Sequence, residues 1–297
     1  MSRVEMISGP VGVAGAALKV VRVPAGDATY LEAGDGHARR VLLLHGGGLD
    51  GPALSWRLLI PELAERFHVI APHWPGHGGS TPFGRPYTIA DLGQWLMTLM
   101  DQLEIERAAL SGVSMGGGAA LWAALRRPER VDALIPVASY GVAARAPYHP
   151  LSYLLTKLPL NALAFAWMRR RPSALRAAVR ALFADPTRVT PDLLSDVAAA
   201  LEAAGGGAAF THFQRGEMTP ASLRTVFVDE LAALAQPTLF IHGVRDALVP
   251  LTAAQAAADA APNARLELLD AGHWPMREAP EAFNALVRAF LDDPGGA

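Results

Sequence analysis

Apolar residues fall along this chain in two periods, and the switching between them gives the first outline of a fold. Val41-Leu42-Leu43-Leu44 is an unbroken apolar run, as expected of a strand covered on both faces. Ala108–Leu110, Val131–Val137 and Thr238–Ile241 have the same character, and His68-Val69-Ile70-Ala71 forms another strand, ended by Pro72. Leu18–Val23 and Thr29–Ala33 alternate like half-exposed strands around a turn at Pro24-Ala25-Gly26-Asp27, and Ala264–Leu269 reads as a strand near the end. Between these runs the apolar period lengthens to that of a helix. Trp56, Leu59, Leu63 and Phe67 predict a helix over Leu54–Arg66, and Thr88 caps a second over Ile89–Leu103. Ala119–Leu125 has helix-forming composition, and Phe283, Leu286, Val287 and Phe290 mark a closing helix over Pro280–Leu291. Strand and helix in alternation predict an α/β fold with a mostly parallel sheet and helices on both faces.

Near residue 141 the alternation stops. From Ala144 to about Leu223 only helical patterning is present, over Leu151–Leu158, Ala162–Arg170, Ser173–Phe183 and Pro191–Ala204. Pro159, Pro172, Pro186 and Pro191 punctuate these segments, and Gly205-Gly206-Gly207 closes the last. A helical block interrupting an α/β pattern reads as an inserted cap over the carboxyl edge of the sheet. The expected division is a core of residues 1–143 and 224–297 with a cap of residues 144–223.

Composition narrows the function. A chain of 297 residues with 51% hydrophobic and 18% charged residues has ample material for one large core. The formal net charge of -2 argues against a nucleic-acid partner. The absence of cysteine removes disulfides, thiolate metal sites and a cysteine nucleophile, and fits a cytoplasmic protein. No apolar stretch approaches about eighteen residues, so no membrane span is expected. Met6–Leu18 is interrupted by Gly9, Pro10, Gly12 and Gly15 and is not read as a secretory leader. Homo-oligomerisation stays open.

The chemistry centres on Gly112-Val113-Ser114-Met115-Gly116, between an apolar strand and a helix. A serine at such a turn projects Oγ from the sheet, while the flanking glycines admit neighbouring backbone. An activated serine needs a base, and the base an orienting carboxylate. Of the histidines after Ser114, His149 and His212 fall in the helical block and His242 ends a strand. His273, in the loop Ala271-Gly272-His273-Trp274-Pro275, is the expected base. Asp246, just past the preceding strand, is the expected acid; Asp270 is its rival, two residues removed from His273. The oxyanion needs two N–H donors, for which Met115 and Gly47 are the candidates, with Gly48 next. His45, Val113 and Trp274 flank these groups and are assigned to substrate contact. His73 and His77 suggest a metal pair with His45, but Trp74-Pro75-Gly76 between them cannot hold a helix, so no metal is expected. No phosphate-loop signature follows the glycines after His45, and no cofactor is expected. Trp167, Phe165, Phe183, Phe210 and Phe213 read mainly as cap core, with one or two reaching substrate.

His45-Gly46-Gly47-Gly48, Pro75-Gly76-His77-Gly78-Gly79-Ser80, Gly112-Val113-Ser114-Met115-Gly116-Gly117, Gly243-Val244-Arg245-Asp246 and Gly272-His273-Trp274 together resemble the α/β-hydrolase fold family over nearly the whole chain. The resemblance implies a cofactor-free serine hydrolase with Ser114, Asp246 and His273 as its triad. The three glycines after His45, Ser114-Met115-Gly116-Gly117 and His273-Trp274 are similar to hydrolases that cleave carbon–carbon bonds in ring-fission products. Val113, however, stands where those enzymes usually carry asparagine, and the cap offers no counterpart to their substrate-carboxylate arginine. His73 replaces the aspartate common before a Trp-Pro-Gly loop. The expected substrate is therefore a small apolar carboxylic ester, hydrolysed by water through an acyl-enzyme. Carbon–carbon hydrolysis is the alternative, and an inactive binding module on the same fold a remote one.

Overall fold

The computed structural model describes residues 5–6, 12–203 and 207–295; Gly9, Pro10, Gly205 and Gly206 lie outside the described residues. Among the described residues nine strands form one sheet: β1 (Glu5–Met6), β2 (Ala17–Val23), β3 (Gly26–Ala33), β4 (Arg40–Leu44), β5 (His68–Pro72), β6 (Ala108–Val113), β7 (Val131–Val137), β8 (Thr238–Gly243) and β9 (Ala264–Leu269). Their order is β1-β2-β3-β5-β4-β6-β7-β8-β9. β4 to β9 run parallel, and the hairpin β2–β3 joins them antiparallel through β5.

Period-two side-chain alternation explains the unbroken apolar runs. In β4, Val41 and Leu43 face one core, with Trp56, Leu63, Phe283 and Phe290, while Leu42 and Leu44 face the other, with Leu92, Leu96, Leu99 and Ala119. The first core is covered by α1 (Pro52–Trp56), α2 (Ile60–Ala64) and the closing helix, the second by α3 (Ile89–Gln102) and α4 (Met115–Arg126). Thr88 caps α3 through a reciprocal pair of bonds with Asp91, as its position predicts.

Two expectations need correcting. The helix read over Leu54–Arg66 is two short helices, because Pro61 has no N–H to give the carbonyl four residues back and instead sits in the first turn of α2. Pro72 does not stop its strand but completes it.

Between β7 and β8 the described chain holds helices α5 (His149–Thr156), α6 (Leu160–Arg170), α7 (Pro172–Arg180), α8 (Pro191–Ala203) and α9 (Ala208–Glu217). The last had no counterpart in the sequence pattern, nor did α10 (Leu251–Ala260), whose Leu-Thr-Ala-Ala-Gln-Ala-Ala-Ala-Asp-Ala is too uniform to mark a stripe. α11 (Pro275–Glu278) and α12 (Pro280–Asp292) close the chain. Among the described residues no helix is long and apolar enough to cross a membrane.

Candidate active site

The parallel strands deliver four loops to one edge of the sheet. Gly46 follows β4, Ser114 follows β6, Asp246 follows β8 and His273 follows β9. Ser114 sits at φ 51°, ψ −116°, a region sparsely populated by non-glycine residues and costing on the order of 1–3 kcal/mol. The surroundings hold it there. Its N–H donates to the Val137 carbonyl at 2.9 Å, and its own carbonyl accepts from Gly118 at 3.0 Å and Tyr140 at 2.9 Å. The flanking glycines are sterically required: a Cβ on Gly112 would lie 2.4 Å from the Gly116 carbonyl carbon, and one on Gly116 would lie 2.2 Å from the Leu44 oxygen.

His273 is held at Nδ1 by Asp246 Oδ2, 2.8 Å away. The other oxygen of Asp246 accepts from the backbone of Leu248 at 2.7 Å and Val249 at 3.1 Å. Burial alone would raise this carboxyl's pKa. The hydrogen bond and charge of His273, with the two backbone donors, outweigh burial and hold it below the usual aspartate value. Asp270 pairs instead with Arg245 at 2.5 Å on the exposed surface. His242 is buried, with Nε2 committed to the Val249 carbonyl at 3.1 Å.

The glycine loop folds back over the elbow. A Cβ on Gly46 would stand 3.6 Å from Ser114 Cβ, and one on Gly47 would stand 3.5 Å from Met115 Sδ, so the glycine loop packs against the elbow. Among the described residues the Gly47 N–H makes no hydrogen bond. Met115 opens α4, and amides of a helix's first turn have no intrahelical partner. Phe210 of α9 lies against both Gly47 and Gly48.

The residues assigned to substrate contact are buried, as are Met115 and His273. His45 is fully buried, its Nε2 accepting from Trp74 N–H at 3.1 Å and its Nδ1 meeting the Gly46 carbonyl at 2.7 Å. An acceptor Nε2 requires the Nδ1–H tautomer, so both nitrogens are spent on backbone and the ring ties β4 to the loop after β5. Val113 is also fully buried, in the core beneath the elbow. Trp274 is nearly so, edge-on to Phe183 at 6.4 Å. His73 and His77 join His45 in a neutral cluster, with the His45 and His77 rings 5.1 Å apart. Burial holds both down to about 4, the neighbouring His77 adding to the effect on His73.

The alpha/beta hydrolase fold family matches residues 39–280. This chain belongs to the α/β-hydrolase fold family. The 2-hydroxymuconate semialdehyde hydrolase of Pseudomonas sp. (strain CF600) is 33% identical over 267 residues, covering 86% of this chain and 88% of the relative. The 2-hydroxy-6-oxononadienedioate/2-hydroxy-6-oxononatrienedioate hydrolase of Cupriavidus pinatubonensis is 31% identical over 265 residues, covering 86% and 87%. The solved structure of a meta-cleavage product hydrolase from Pseudomonas fluorescens is similar, with a TM-score of 0.76 at 26% identity, covering 95% of this chain and 99% of that one. The protein is a hydrolase of this fold.

Around the hydrolase's edge stand two buried carboxylates that the motifs do not mark. Asp50 accepts from Gly46 N at 2.6 Å, Gly51 N at 2.7 Å and Ser55 Oγ at 2.7 Å, and fixes the glycine loop. Burial, only partly offset by these donors, pushes it up to about 6. Glu278 accepts from Gly272 N at 2.7 Å, Ala184 N at 3.0 Å and Asp185 N at 2.7 Å. The loop after α7 is thereby stitched to the His273 loop, and His273 N–H also donates to Leu182 at 2.8 Å. The only sequence signal for either was a carboxylate a few residues beyond a motif. Beside Tyr140, whose N–H bonds the Ser114 carbonyl, opens a cavity of about 190 Å³ lined chiefly by Phe210, Phe213, Met218, Leu223, Leu248 and Val249.

Proposed function

We propose that the hydrolase cleaves a small carboxylic ester with an apolar acyl or alcohol group. Ser114 Oγ attacks the ester carbon as His273 Nε2 takes its proton, forming the tetrahedral oxyanion. Asp246 holds the Nδ1–H side of the ring, which fixes the tautomer and stabilises the imidazolium. The N–H groups of Met115 and Gly47 receive the oxyanion. Collapse expels the alcohol, which takes the proton from His273; water, deprotonated by the same ring, then releases the acid and restores Ser114. Residues 144–223 serve as the cap that walls the substrate, Phe210 closing over the glycine loop.

The apolar lining of the 190 Å³ cavity carries the ester reading. A chain of methylenes gains roughly 0.8 kcal/mol for each one buried there, whereas a buried carboxylate needs a cationic or hydrogen-bonding partner. Glu217, which lines the cavity, is already satisfied by Ile89 N, Tyr140 Oη and Thr225, and its charge would repel an acid.

Two observations favour a second reading, carbon–carbon hydrolysis of a ring-fission product. The relatives at 33% and 31% identity carry names of that class. Arg145, the one cation among the residues lining the cavity, stands at its rim. The discriminating measurement is kcat/KM for nitrophenyl esters of increasing chain length and for a ring-fission dienone, on one preparation. Ester turnover rising from acetate toward medium chains, with the dienone poor, is expected. A clear preference for the dienone, lost in Arg145→Ala, would replace the ester by the second reading.

A further inference from the structure

Helices α5 and α6 turn their apolar stripes outward. In α5 and its C-terminal turn, Leu151, Leu154, Leu155 and Leu158 recur at the spacing of one helical face, yet Leu151 is 60% and Leu154 62% exposed. α5 buries His149 and Thr156 instead. α6 is apolar on two sides: Phe165 and Met168 face inward, while Leu160, Leu163 and Trp167 face out, the last at 60%. Tyr148, 85% exposed, precedes the first stripe. Two outward apolar stripes on consecutive helices go beyond scattered surface leucines.

The charges around it have one sign. Between Asp132 and Asp185 there is no Asp or Glu, although the chain as a whole is formally -2. Lys157 lies three residues past Leu154, its ammonium over the Tyr153 ring. Arg170 continues the Leu160, Leu163, Trp167 stripe at helical spacing, with Arg169 beside it and Arg171 just past the helix end. Among the described residues Arg169, Arg170 and Arg171 form no ion pair or side-chain hydrogen bond. Exposed leucines with aromatic residues at the margins and unpaired arginines alongside are the composition of a helix that lies in a bilayer interface, its cations on anionic headgroups.

We propose that the α5–α6 hairpin docks this hydrolase onto an anionic lipid bilayer, burying the Leu151–Leu158 and Leu160–Trp167 stripes at the acyl boundary and setting Lys157 and Arg169–Arg171 against lipid phosphates. The proposal is independent of which bond the active site cleaves. A second copy of the chain is the rival occupant, but two faces flanked by the same positive charge would repel one another.

The test uses the full chain with vesicles of pure phosphatidylcholine and of phosphatidylcholine mixed equally with phosphatidylglycerol. Co-sedimentation measures partition, and brominated acyl chains report tryptophan depth. Trp167 is the tryptophan on this face, and Trp56, Trp74, Trp95 and Trp274 are buried. Partition at least about tenfold higher with phosphatidylglycerol, falling steeply with salt and accompanied by quenching, is expected. Leu154→Ser with Leu163→Ser should abolish binding, and Arg169→Glu with Arg170→Glu should lower it about tenfold or more, each with an unchanged unfolding midpoint. No uptake, uptake without quenching, or uptake indifferent to these variants would overturn it. So would a wild-type dimer that the leucine variants dissociate, which would assign the face to a second copy.

Discussion

Ile89, Leu92, Leu96 and Leu99 of α3 lie fully buried against the sheet, whereas Leu151, Leu154 and Leu155 of α5, with Leu158 just past its end, face solvent at the same kind of spacing. Both patterns predict an amphipathic helix and both produce one. They differ in what meets the stripe. α3 lies on strands whose own apolar face must be covered, and Thr88 and Asp91 fix where it begins. α5 has no sheet beneath its leucines and adds no residue to either core cluster. Periodicity tells which face is apolar, and only the topology tells whether that face is core. The chemistry follows the same division. Ser114, Asp246, His273 and the glycine loop all follow strands at one sheet edge, while Phe210 and Glu217 of α9 line the neighbouring cavity.

If that division is right, the largest single effect lies on the sheet edge. Ser114→Ala should lower kcat by on the order of 10⁴-fold or more, with the thermal midpoint unchanged, because only an Oγ is lost. Asp246→Asn should be comparably severe, since an amide cannot hold the required tautomer of His273. Asp270→Asn should do little. If the Asp270 variant proved the more damaging, the acid assignment would fail.

Acid should come next. The unfolded chain protonates His73 and His77 near 6.5, the folded protein only near 4, so stability present above about 6.5 drains away as pH falls to about 4. Each shift is worth on the order of 3 kcal/mol. His45, held well below its usual value by burial and its two neighbours, acts in the same direction. Asp50 acts oppositely: its contribution is present at low pH and is lost as pH rises through about 6. Three histidines against one carboxyl leave a net fall on acidification. Urea unfolding at pH 7 and 4.5 should show a loss of several kcal/mol, reduced in His77→Gln; a flat profile would dissolve the neutral cluster.

Leucines then sharpen the comparison directly. Leu96→Ala in α3 should cost about 2–5 kcal/mol, from lost burial and the cavity left. Leu154→Ala in α5 should change stability by no more than about 0.5 kcal/mol in the absence of lipid. Equal costs would mean that α5 is covered in solution after all.

Much of this could be read from the chain. The continuous runs at Val41–Leu44 and Val131–Val137 marked the central strands because helices cover both faces there. Ser114, Asp246 and His273 were nameable because each follows a strand of the same sheet, and the fold brings His273 and Asp246 within hydrogen-bond distance. What escaped depends on partners distant in sequence. Glu278 meets Ala184 and Asp185 across a gap no local pattern spans, and Glu217 caps α3 from α9. His45 and Val113 read as substrate contacts because they adjoin the motifs; that both are buried, with the His45 ring bonded to Trp74 and Gly46, depends on neighbours adjacency does not reveal. The break within Leu54–Arg66 was legible in Pro61 and was overridden by the stronger apolar stripe.

The central claim is that Ser114, seated at its strained turn after β6, is the nucleophile. Intact-mass and peptide mass spectrometry after reaction with a fluorophosphonate tests it most directly. One adduct per chain, on the peptide bearing Ser114, strongly slowed in His273→Ala and absent in Ser114→Ala, is the predicted result. Labelling elsewhere, or a Ser114→Ala protein that still labels and still hydrolyses ester, would contradict it.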